Sequence, residues 1–405
     1  MSKLASMDGS GGDWIAPEGL EGVVVADTRL SEVDGERGRL LVLGYSIEDL
    51  AERTDFEGVC ALLWEDSAPA RTHAPLRSAL GRARERAWAR IDALGDALRA
   101  ADGMDALRAS VSHLGASGSD EAELRLELCA AVAVYAAAWA RLRAGAAPLA
   151  PRADLSHAAD YLRMATGGDV DAARARALDA YLVTTADHGL NASTFTARVV
   201  ASTDSDTVSA IVAAIGALKG PRHGGAPGPV LAMLDAIGAP ERAAAWIAAE
   251  LAAGRRINGM GHRVYRVRDP RAAVLERAVE RLRGAGTASD RLELARAVER
   301  VATASLGERR ADRRLAANVE FYTAVILDAI GLPQELFSPT FAVARVAGWL
   351  AHVAEQRESR RIIRPSSRYI GPRPDASEAR SDAEPREEWD APGRPGAGPR
   401  KENAA

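Results

Sequence analysis

The stretch DEAELRLELCAAVAVYAAAWARLRA, residues 120–144, decides the fold class of this chain. Alanine, leucine, glutamate and arginine dominate it, and these residues have high intrinsic helix propensities. Its wholly apolar run, from Leu128 to Ala140, is too short for a helix that spans a bilayer. The stretch therefore predicts a helix of a globular protein.

Further helices are predicted on both sides of this stretch, each bounded by Gly, Pro or Asp. The predicted ranges are about 76–100, 172–187, 206–218, 239–253, 270–284, 289–305, 317–330 and 339–357. Ser46 is expected to cap a helical segment that continues through SIEDLAERTDFEGVCALLW, because Asp49 follows it three residues later.

The one predicted sheet is a small hairpin near the N-terminus. Between Gly22 and Tyr45, β-branched and apolar runs flank Asp34 and Gly35, a pattern typical of a β-hairpin. The predicted fold class is therefore mainly α, with a small N-terminal β-hairpin.

Charge and cysteine usage exclude several classes of protein. The 52 Lys and Arg residues nearly cancel the 56 Asp and Glu residues, so small-molecule substrates are expected rather than nucleic acid or membrane partners. The start MSKLASMDGSGG lacks an apolar signal segment, which predicts a cytoplasmic protein. Cys60 and Cys129 form no CxxC pair and are expected to be small buried residues. Residues 1–17 and 375–405 are polar and are predicted to be disordered tails.

Three of the seven histidines lie in glycine-rich loops. His188 occurs in TTADHGLNASTFTAR, His223 in LKGPRHGGAPGPV and His262 in INGMGHRVYRVRDPRA. Glycines let a ligand approach main-chain donors closely, so three titratable rings in such loops indicate an active site, although any one alone could be an ordinary loop residue. Ordinary surface or core positions are expected for the other four: His73, His113, His157 and His352.

Two rival kinds of site are not favoured. A metal site would call for HxxxH or HExxH spacing, or for a nearby Cys or paired carboxylate, and the loops have none of these. A serine hydrolase would require a GxSxG turn, which the sequence lacks.

The arginines indicate an anionic substrate. Arg345 interrupts the apolar helix FAVARVAGWLAHV, where an unpaired guanidinium would be costly to bury. Four more arginines crowd the segment HRVYRVRDPRA: Arg263, Arg266, Arg268 and Arg271. Because guanidinium groups pair with carboxylates and phosphates, the pattern favours a substrate with two or more carboxylates and a phosphorylated carrier. The alternative for the cluster is a solvated face at a helix entry.

Glu320 is the candidate base. It lies in AANVEFYTAVILDAIG among apolar neighbours, so partial desolvation is expected to raise the pKa of its carboxyl group. The alternative is a first-turn carboxylate that the helix dipole favours.

Several long motifs together resemble the citrate synthase family. LKGPRHGGA, GHRVYRVRDPRA, NVEFYTAVIL and IIRPSSRYIGP occur in the order and approximate spacing of that family, and GLEGVVVADTRLSEVDGERGRLLVLGY resembles its N-terminal hairpin. The resemblance covers about residues 18–373. It implies a citrate synthase-like two-domain helical fold, with a large domain of residues 18–224 and 332–374, a small domain of residues 225–331 and a cleft between them.

The resemblance also implies the reaction. Acetyl-CoA and oxaloacetate would give citrate and CoA through enolisation, aldol-type addition and thioester hydrolysis, with acetyl-CoA as co-substrate and no tightly bound cofactor. His223 would hydrogen-bond the thioester oxygen while Glu320 removes a methyl proton. His262 would act as the acid on the oxaloacetate carbonyl.

Substrate contacts are implied in the same way. Oxaloacetate would be held by His188, Arg271 and Arg345, with Arg364 reaching in from the partner subunit of a homodimer. The loop expected to contact CoA contributes Gly259, Met260, Gly261, Arg263 and Arg266.

The sequence departs from the family pattern at three positions. Glu320 stands where the family usually has Asp, Pro227 where it has Asn, and Ala317 where Pro is common. A 2-methylcitrate synthase that uses propionyl-CoA, and a catalytically weakened homologue with a binding or regulatory role, therefore stay open as alternatives. If His223 begins the helix after HGGAPGP, the helix dipole would favour its neutral form.

Overall fold

The computed structural model describes residues 17–65, 68–70, 72–115, 120–225, 227–286, 291–309 and 315–372. The predicted tails at residues 1–17 and 375–405 therefore lie outside the described residues, apart from Pro17. The described residues up to Ile363 form one compact unit, and a second unit begins at Arg364. In the second unit, residues 364–372 are described.

The predicted hairpin is present and is extended by a third short strand. Strands β1 (Ser31–Asp34), β2 (Arg39–Val42) and β3 (Tyr45–Ser46) form an antiparallel sheet in the order β1-β2-β3. The turn between β1 and β2 begins where Asp34 accepts a hydrogen bond from the amide of Arg37 at 3.0 Å. Gly38 closes it at a φ of 63°, a left-handed conformation that costs glycine little.

The rest of the unit is helical, which confirms the predicted fold class. The helices of the described residues are α1 (Ile47–Arg53), α2 (Phe56–Glu65), α3 (Ala74–Trp88), α4 (Gly103–Ser112), α5 (Glu121–Arg143), α6 (His157–Thr166), α7 (Ala172–Thr185), α8 (Ala192–Ala201), α9 (Thr207–Leu218), α10 (Pro227–Ile237), α11 (Ala243–Ala252), α12 (Pro270–Gly284), α13 (Arg291–Arg309), α14 (Val319–Ala329) and α15 (Phe337–Ser359).

Some predicted helix boundaries were wrong. Ser46 does cap α1, accepting a hydrogen bond from the amide of Asp49 at 3.1 Å, but the segment breaks into α1 and α2 before Phe56. The helix predicted at 76–100 ends at Trp88 and continues as two short 3-10 turns, between which Gly95 adopts a φ of 58°.

Of four short helices, α4, α6 and α8 were not predicted, and α10 was expected only as the helix after HGGAPGP, without bounds. Three of them have a side-chain cap that helps to start the helix: Asp102 for α4, Ser156 for α6 and Asn191 for α8. Each of the four spans only 10 or 11 residues, which leaves too few turns for a clear apolar period.

The core is built around α5 and α15, which pack against each other. The apolar run from Leu128 to Ala140 is buried, as are Cys60 and Cys129, which confirms the prediction for the two cysteines. Within the described part of the chain, no helix is long and apolar enough to cross a membrane. Helix α12 packs on α7 and α14, and both of these helices also contact α15.

Candidate active site

The three glycine-loop histidines come from three separate connections. His188 follows α7, His223 lies in the turn before α10 and His262 lies in the loop before α12. The rings of His188 and His262 meet edge to face with centroids 5.6 Å apart. His223 is near enough to contribute to the lowered pKa of His188. The structure thus brings the three predicted histidines together.

His188 is the most deeply buried of the three, with 8% of its surface exposed. Its Nε2 lies 3.1 Å from the hydroxyl of Tyr265. Burial, followed by the charge of Arg271, holds the pKa of His188 well below its usual range. The ring is therefore neutral at neutral pH.

His223 is held from one side by Ser193. Its Nε2 accepts a hydrogen bond from the Ser193 amide at 3.3 Å and lies 2.8 Å from the Ser193 hydroxyl. Because a backbone N–H can only donate, the proton of the neutral ring resides on Nδ1. Burial, followed by the charge of Arg345, lowers the pKa of His223 to about 4.

The helix after His223 begins later than the dipole argument assumed. Helix α10 starts at Pro227, so His223 does not begin it, and burial and Arg345 account for the lowered pKa instead. Pro227 occupies the first helical position, where its missing N–H would have had no partner within the helix. Its substitution for the family's usual Asn therefore costs no helical hydrogen bond.

The backbone also fixes the tautomer of His262. Its Nδ1 accepts hydrogen bonds from the amides of Val264 at 3.0 Å and Tyr265 at 3.1 Å, so the ring proton lies on Nε2. Burial, followed by the charge of Arg271, lowers the pKa of this ring to about 4. His262 is thus a neutral donor through Nε2.

Two of the predicted arginines are buried in this site. Arg271 is 2% exposed and pairs with Asp269, while Arg345 is 1% exposed and donates from Nε to the carbonyl of Thr185 at 2.7 Å. Burial lowers the pKa of Arg345 to about 10, partly offset by the charge of Asp187, so the guanidinium is cationic at neutral pH.

The cluster at residues 263–271 divides into different environments. Arg268 forms ion pairs with Glu276 at 2.8 Å and Glu299 at 2.7 Å, which tie the loop to α12 and α13. Arg263 and Arg266 are exposed. For these two arginines the structure agrees with the alternative interpretation, a solvated face at a helix entry.

Glu320 lies in the first turn of a helix and is also partly buried. It is the second residue of α14, and Asn318 caps that helix by accepting hydrogen bonds from the amides of Glu320 and Phe321. Burial raises the pKa of the Glu320 carboxyl group to about 7, against the opposing charge of Arg271. A first-turn carboxylate can therefore also serve as a base near neutral pH.

The loop predicted to contact CoA is attached to the start of α14. Gly261 donates from its amide to the carbonyl of Ala316 at 2.8 Å, and Asn318 donates from its amide to the carbonyl of Gly259 at 3.0 Å. Gly259 has a φ of 74°, and a Cβ there would lie 2.8 Å from the ring of Phe321. Glycine is thus required where the loop passes the helix that carries Glu320.

Several residues of the site were missed in the sequence. Asp187 directly precedes His188 and Tyr265 follows His262 by three residues, so both stood beside recognised histidines. Asp269 had the signal of an N-cap before a proline. Ser193 had no comparable signal, since its contact with His223 joins the first turn of α8 to a loop that is distant in the sequence.

The sequence and the fold place this chain among known proteins. Residues 19–366 match the family model described as citrate synthase, C-terminal domain. The chain belongs to the citrate synthase family. Its members are acyltransferase enzymes, and the resemblance inferred from the motifs is confirmed.

Individual relatives span nearly the same length. Citrate synthase from Haloferax volcanii is 39% identical over 384 residues, covering 87% of this chain and 95% of that protein. The 2-methylcitrate synthase of Mycobacterium tuberculosis is 37% identical over 368 residues, covering 87% and 90%. A solved ternary complex of carboxymethyl coenzyme A and oxaloacetate with citrate synthase from Thermoplasma acidophilum has a TM-score of 0.79 at 28% identity, covering 88% of this chain and 96% of that one.

Proposed function

We propose that this chain condenses acetyl-CoA with oxaloacetate to give citrate and CoA. Relatives named citrate synthase support the reaction, and the Thermoplasma acidophilum protein holds a CoA derivative and oxaloacetate together. The observation that carries the proposal is Glu320, a partly buried carboxylate with a pKa of about 7, which feels the charge of Arg271 as the neutral donor His262 does. His223 supplies a second neutral donor. Removing a proton from a thioester methyl requires this combination of a base and donors.

Enolisation of acetyl-CoA is the first step. The Glu320 carboxylate takes a proton from the methyl group, and its raised pKa makes it a stronger base than an ordinary glutamate. The C–H electron pair moves toward the thioester oxygen, which accepts a hydrogen bond from Nδ1–H of His223. A neutral imidazole suits this role because its N–H stabilises the developing negative charge on the oxygen by donating a hydrogen bond. No imidazolium has to lose a proton first.

Carbon–carbon bond formation follows. The methylene carbon of the enolate attacks the carbonyl carbon of oxaloacetate, and His262 gives its Nε2 proton to the carbonyl oxygen, which becomes the hydroxyl of citryl-CoA. The proton held on Glu320 returns to His262. Water then adds to the thioester carbonyl carbon and the C–S bond breaks. The water oxygen enters the new carboxylate of citrate, one water proton goes to the CoA sulfur to give the thiol, and the other is released to solvent.

Oxaloacetate binding is assigned to His188, Arg271 and Arg345. Two buried guanidinium groups match the two carboxylates of this substrate, and the cost of burying the cations is offset when the anions bind. Arg364 of a partner subunit in a homodimer would add a third cation. In the chain itself this side chain is exposed.

CoA is assigned to the loop that precedes α12. Gly259, Met260 and Gly261 offer backbone groups, and the exposed Arg263 and Arg266 are cations suited to phosphates. We propose no tightly bound cofactor, since the two substrates supply all the reacting groups. Closure of a small domain, residues 225–331, on the rest of the chain would exclude water during enolisation.

Release of CoA thiol tests the proposal. With oxaloacetate and acetyl-CoA we expect turnover, and a loss of about 10²–10⁴-fold in His223→Ala and Glu320→Gln, the range for a positioned acid or base. The exposed His113→Ala and Glu335→Gln are matched controls that should retain full turnover.

The same assay separates the alternatives. Faster turnover of propionyl-CoA than of acetyl-CoA would indicate 2-methylcitrate synthesis, the activity for which the Mycobacterium tuberculosis relative is named. One methylene in an apolar pocket is worth about 1–3 kcal/mol, so the preference is expected to be measurable. Release with neither thioester would overturn the proposed function in favour of a binding or regulatory role.

A further inference from the structure

One face of α15 lies directly along the segment that precedes His188. Arg345, Gly348 and His352 are spaced three and four residues apart, so they share one side of the helix. A Cβ on Gly348 would lie 2.4 Å from the carbonyl oxygen of Ala186 and 2.7 Å from Oδ1 of Asp187. Only a glycine therefore lets the helix approach this segment so closely.

At one end of this face, His352 meets Asp187. His352 Nε2 lies 3.2 Å from Oδ1 of Asp187, and both side chains are fully buried. The approach is not that of a well-aligned hydrogen bond, yet neither atom has another hydrogen-bond partner among the described residues. Each group therefore lowers the free-energy cost of burying the other.

Arg198 fixes which nitrogen of His352 faces Asp187. Its Nη1 lies 3.0 Å from His352 Nδ1, and a guanidinium can only donate, so the ring proton is on Nε2. Arg198 is itself held by Gln356 at 2.9 Å and by Glu355 at 2.5 Å. A buried chain of polar groups therefore runs from the end of α15 to Asp187.

Asp187 supplies a buried negative charge on the inner side of the site. Burial alone would raise its pKa, but His352, then Ser31 and Arg345, lower it to about 2. The negative charge of Asp187 in turn raises the pKa of Arg345 and so offsets part of the decrease that burial causes. Its Oδ2 also accepts from the amide of Gly189 at 3.3 Å, so its carboxylate contacts the backbone on the far side of His188.

We propose that Asp187 and His352 are a positioning pair for the binding of oxaloacetate. They hold the segment from Thr185 to Gly189 against α15, which sets the direction of His188 and keeps a counter-charge beside Arg345. Neither residue is a catalytic residue, because both act through the groups that contact the substrate. This inference rests on the proposed assignment of His188 and Arg345 to oxaloacetate.

The test is steady-state CoA release by the full chain, with each substrate varied in turn. In His352→Leu, Asp187 loses its polar neighbour, and we expect the KM for oxaloacetate to rise about tenfold or more while the KM for acetyl-CoA changes by less than about twofold. His352→Gln should restore most of the loss, since the amide can donate to Asp187 and accept from Arg198. Asp187→Asn should resemble His352→Leu in its effect on oxaloacetate.

His157→Leu is the matched control. His157 is also fully buried beside an arginine, with Arg84 Nη1 3.5 Å from its Nδ1, but it lies outside the site. It should lower stability without changing the KM for oxaloacetate. If His352→Leu does not fold, the near-isosteric Asp187→Asn and His352→Gln carry the test.

The possible failures are distinguishable. An unchanged oxaloacetate KM in folded His352→Leu or Asp187→Asn, an equal rise in both KM values, or a Gln variant as impaired as the Leu variant would overturn the positioning pair alone. Absence of CoA release by the unaltered protein would overturn the proposed function and this inference with it.

Discussion

Asp269 holds the guanidinium group of Arg271 with both of its carboxylate oxygens, at 3.0 Å from Nε and 2.8 Å from Nη2. The same carboxylate accepts a hydrogen bond from the amide of Val319 at 3.1 Å, one residue before Glu320. Asp269 and Arg271 are both almost completely buried. One side chain therefore fixes the proposed oxaloacetate-binding arginine relative to the helix that carries the proposed base.

Asp269→Asn is expected to lower kcat/KM for oxaloacetate about tenfold or more, because the arginine loses a charged partner. Since the charge of Asp269 also raises the pKa of Glu320, the acidic limb of the pH profile should move to lower pH. Asp235→Asn is the control, as Asp235 pairs with Arg291 away from the site. A limb that stays in place or moves to higher pH would contradict the coupling.

The unaltered enzyme should lose activity as the pH falls through about 7. The value of kcat/KM reports groups of the free enzyme, and Glu320 must be ionised to take a proton, so protonation near its pKa of about 7 removes the base. His223 and His262 have pKa values of about 4 and should add no limb above about pH 5. Initial rates of CoA release from about pH 5.5 to 9 measure this. A profile that stays flat through neutrality would argue against Glu320 as the base.

Glu320→Asp is expected to lower kcat on the order of 10²-fold, although Asp is usual in the family. Asn318 and Asp269 tie down the start of α14, so the backbone cannot follow a shorter side chain, and a displacement of about 1 Å has a cost of this order. The measurement is kcat at saturating concentrations of both substrates. Equal turnover of the Asp variant would show that the extra methylene does not matter, and faster turnover would show that it slows the reaction; either result would contradict the prediction.

Gly259→Ala is expected to reduce turnover more than Gly254→Ala. Both glycines have similar positive φ values, 74° and 71°, but a Cβ at Gly259 would lie 2.8 Å from Phe321, whereas nothing lies within 4 Å of one at Gly254. Both variants therefore carry the same kind of backbone strain, about 1–2 kcal/mol each. Only Gly259→Ala also displaces Phe321, the residue next to Glu320. Thermal denaturation and kcat, measured on both variants, separate the two effects. Equal losses of kcat would mean that strain alone is responsible.

Much of the site could be predicted because its residues carry local signals. Three histidines in glycine-rich loops, an arginine in an apolar helix and a carboxylate in the first turn of another each conflict with their surroundings, and such conflicts favour function. The structure brings His188, His223 and His262 together, and the charge of Arg271 acts on the pKa of both His188 and Glu320. Their chemical roles remain predictions that the variants above test.

Other features depend on contacts between distant parts of the chain. His352 was expected to be an ordinary surface or core residue, because the role we propose for it depends on its contact with Asp187, which lies in another part of the chain. The tautomers of His223 and His262 likewise depend on which backbone amides face each ring. The short helices α4, α6 and α8 are stabilised by caps and packing more than by a visible apolar period. The two-domain division at residues 225–331 remains a prediction.

The most direct test of the central claim isolates enolisation from the later steps. The protein is incubated in deuterium oxide with acetyl-CoA and L-malate, which has the carboxylates of oxaloacetate but no carbonyl to attack, and loss of the methyl signal is followed by proton NMR. We expect exchange by the unaltered protein and by Glu335→Gln, and none above background by Glu320→Gln. Exchange by Glu320→Gln at the unaltered rate would contradict the assignment of Glu320 as the base.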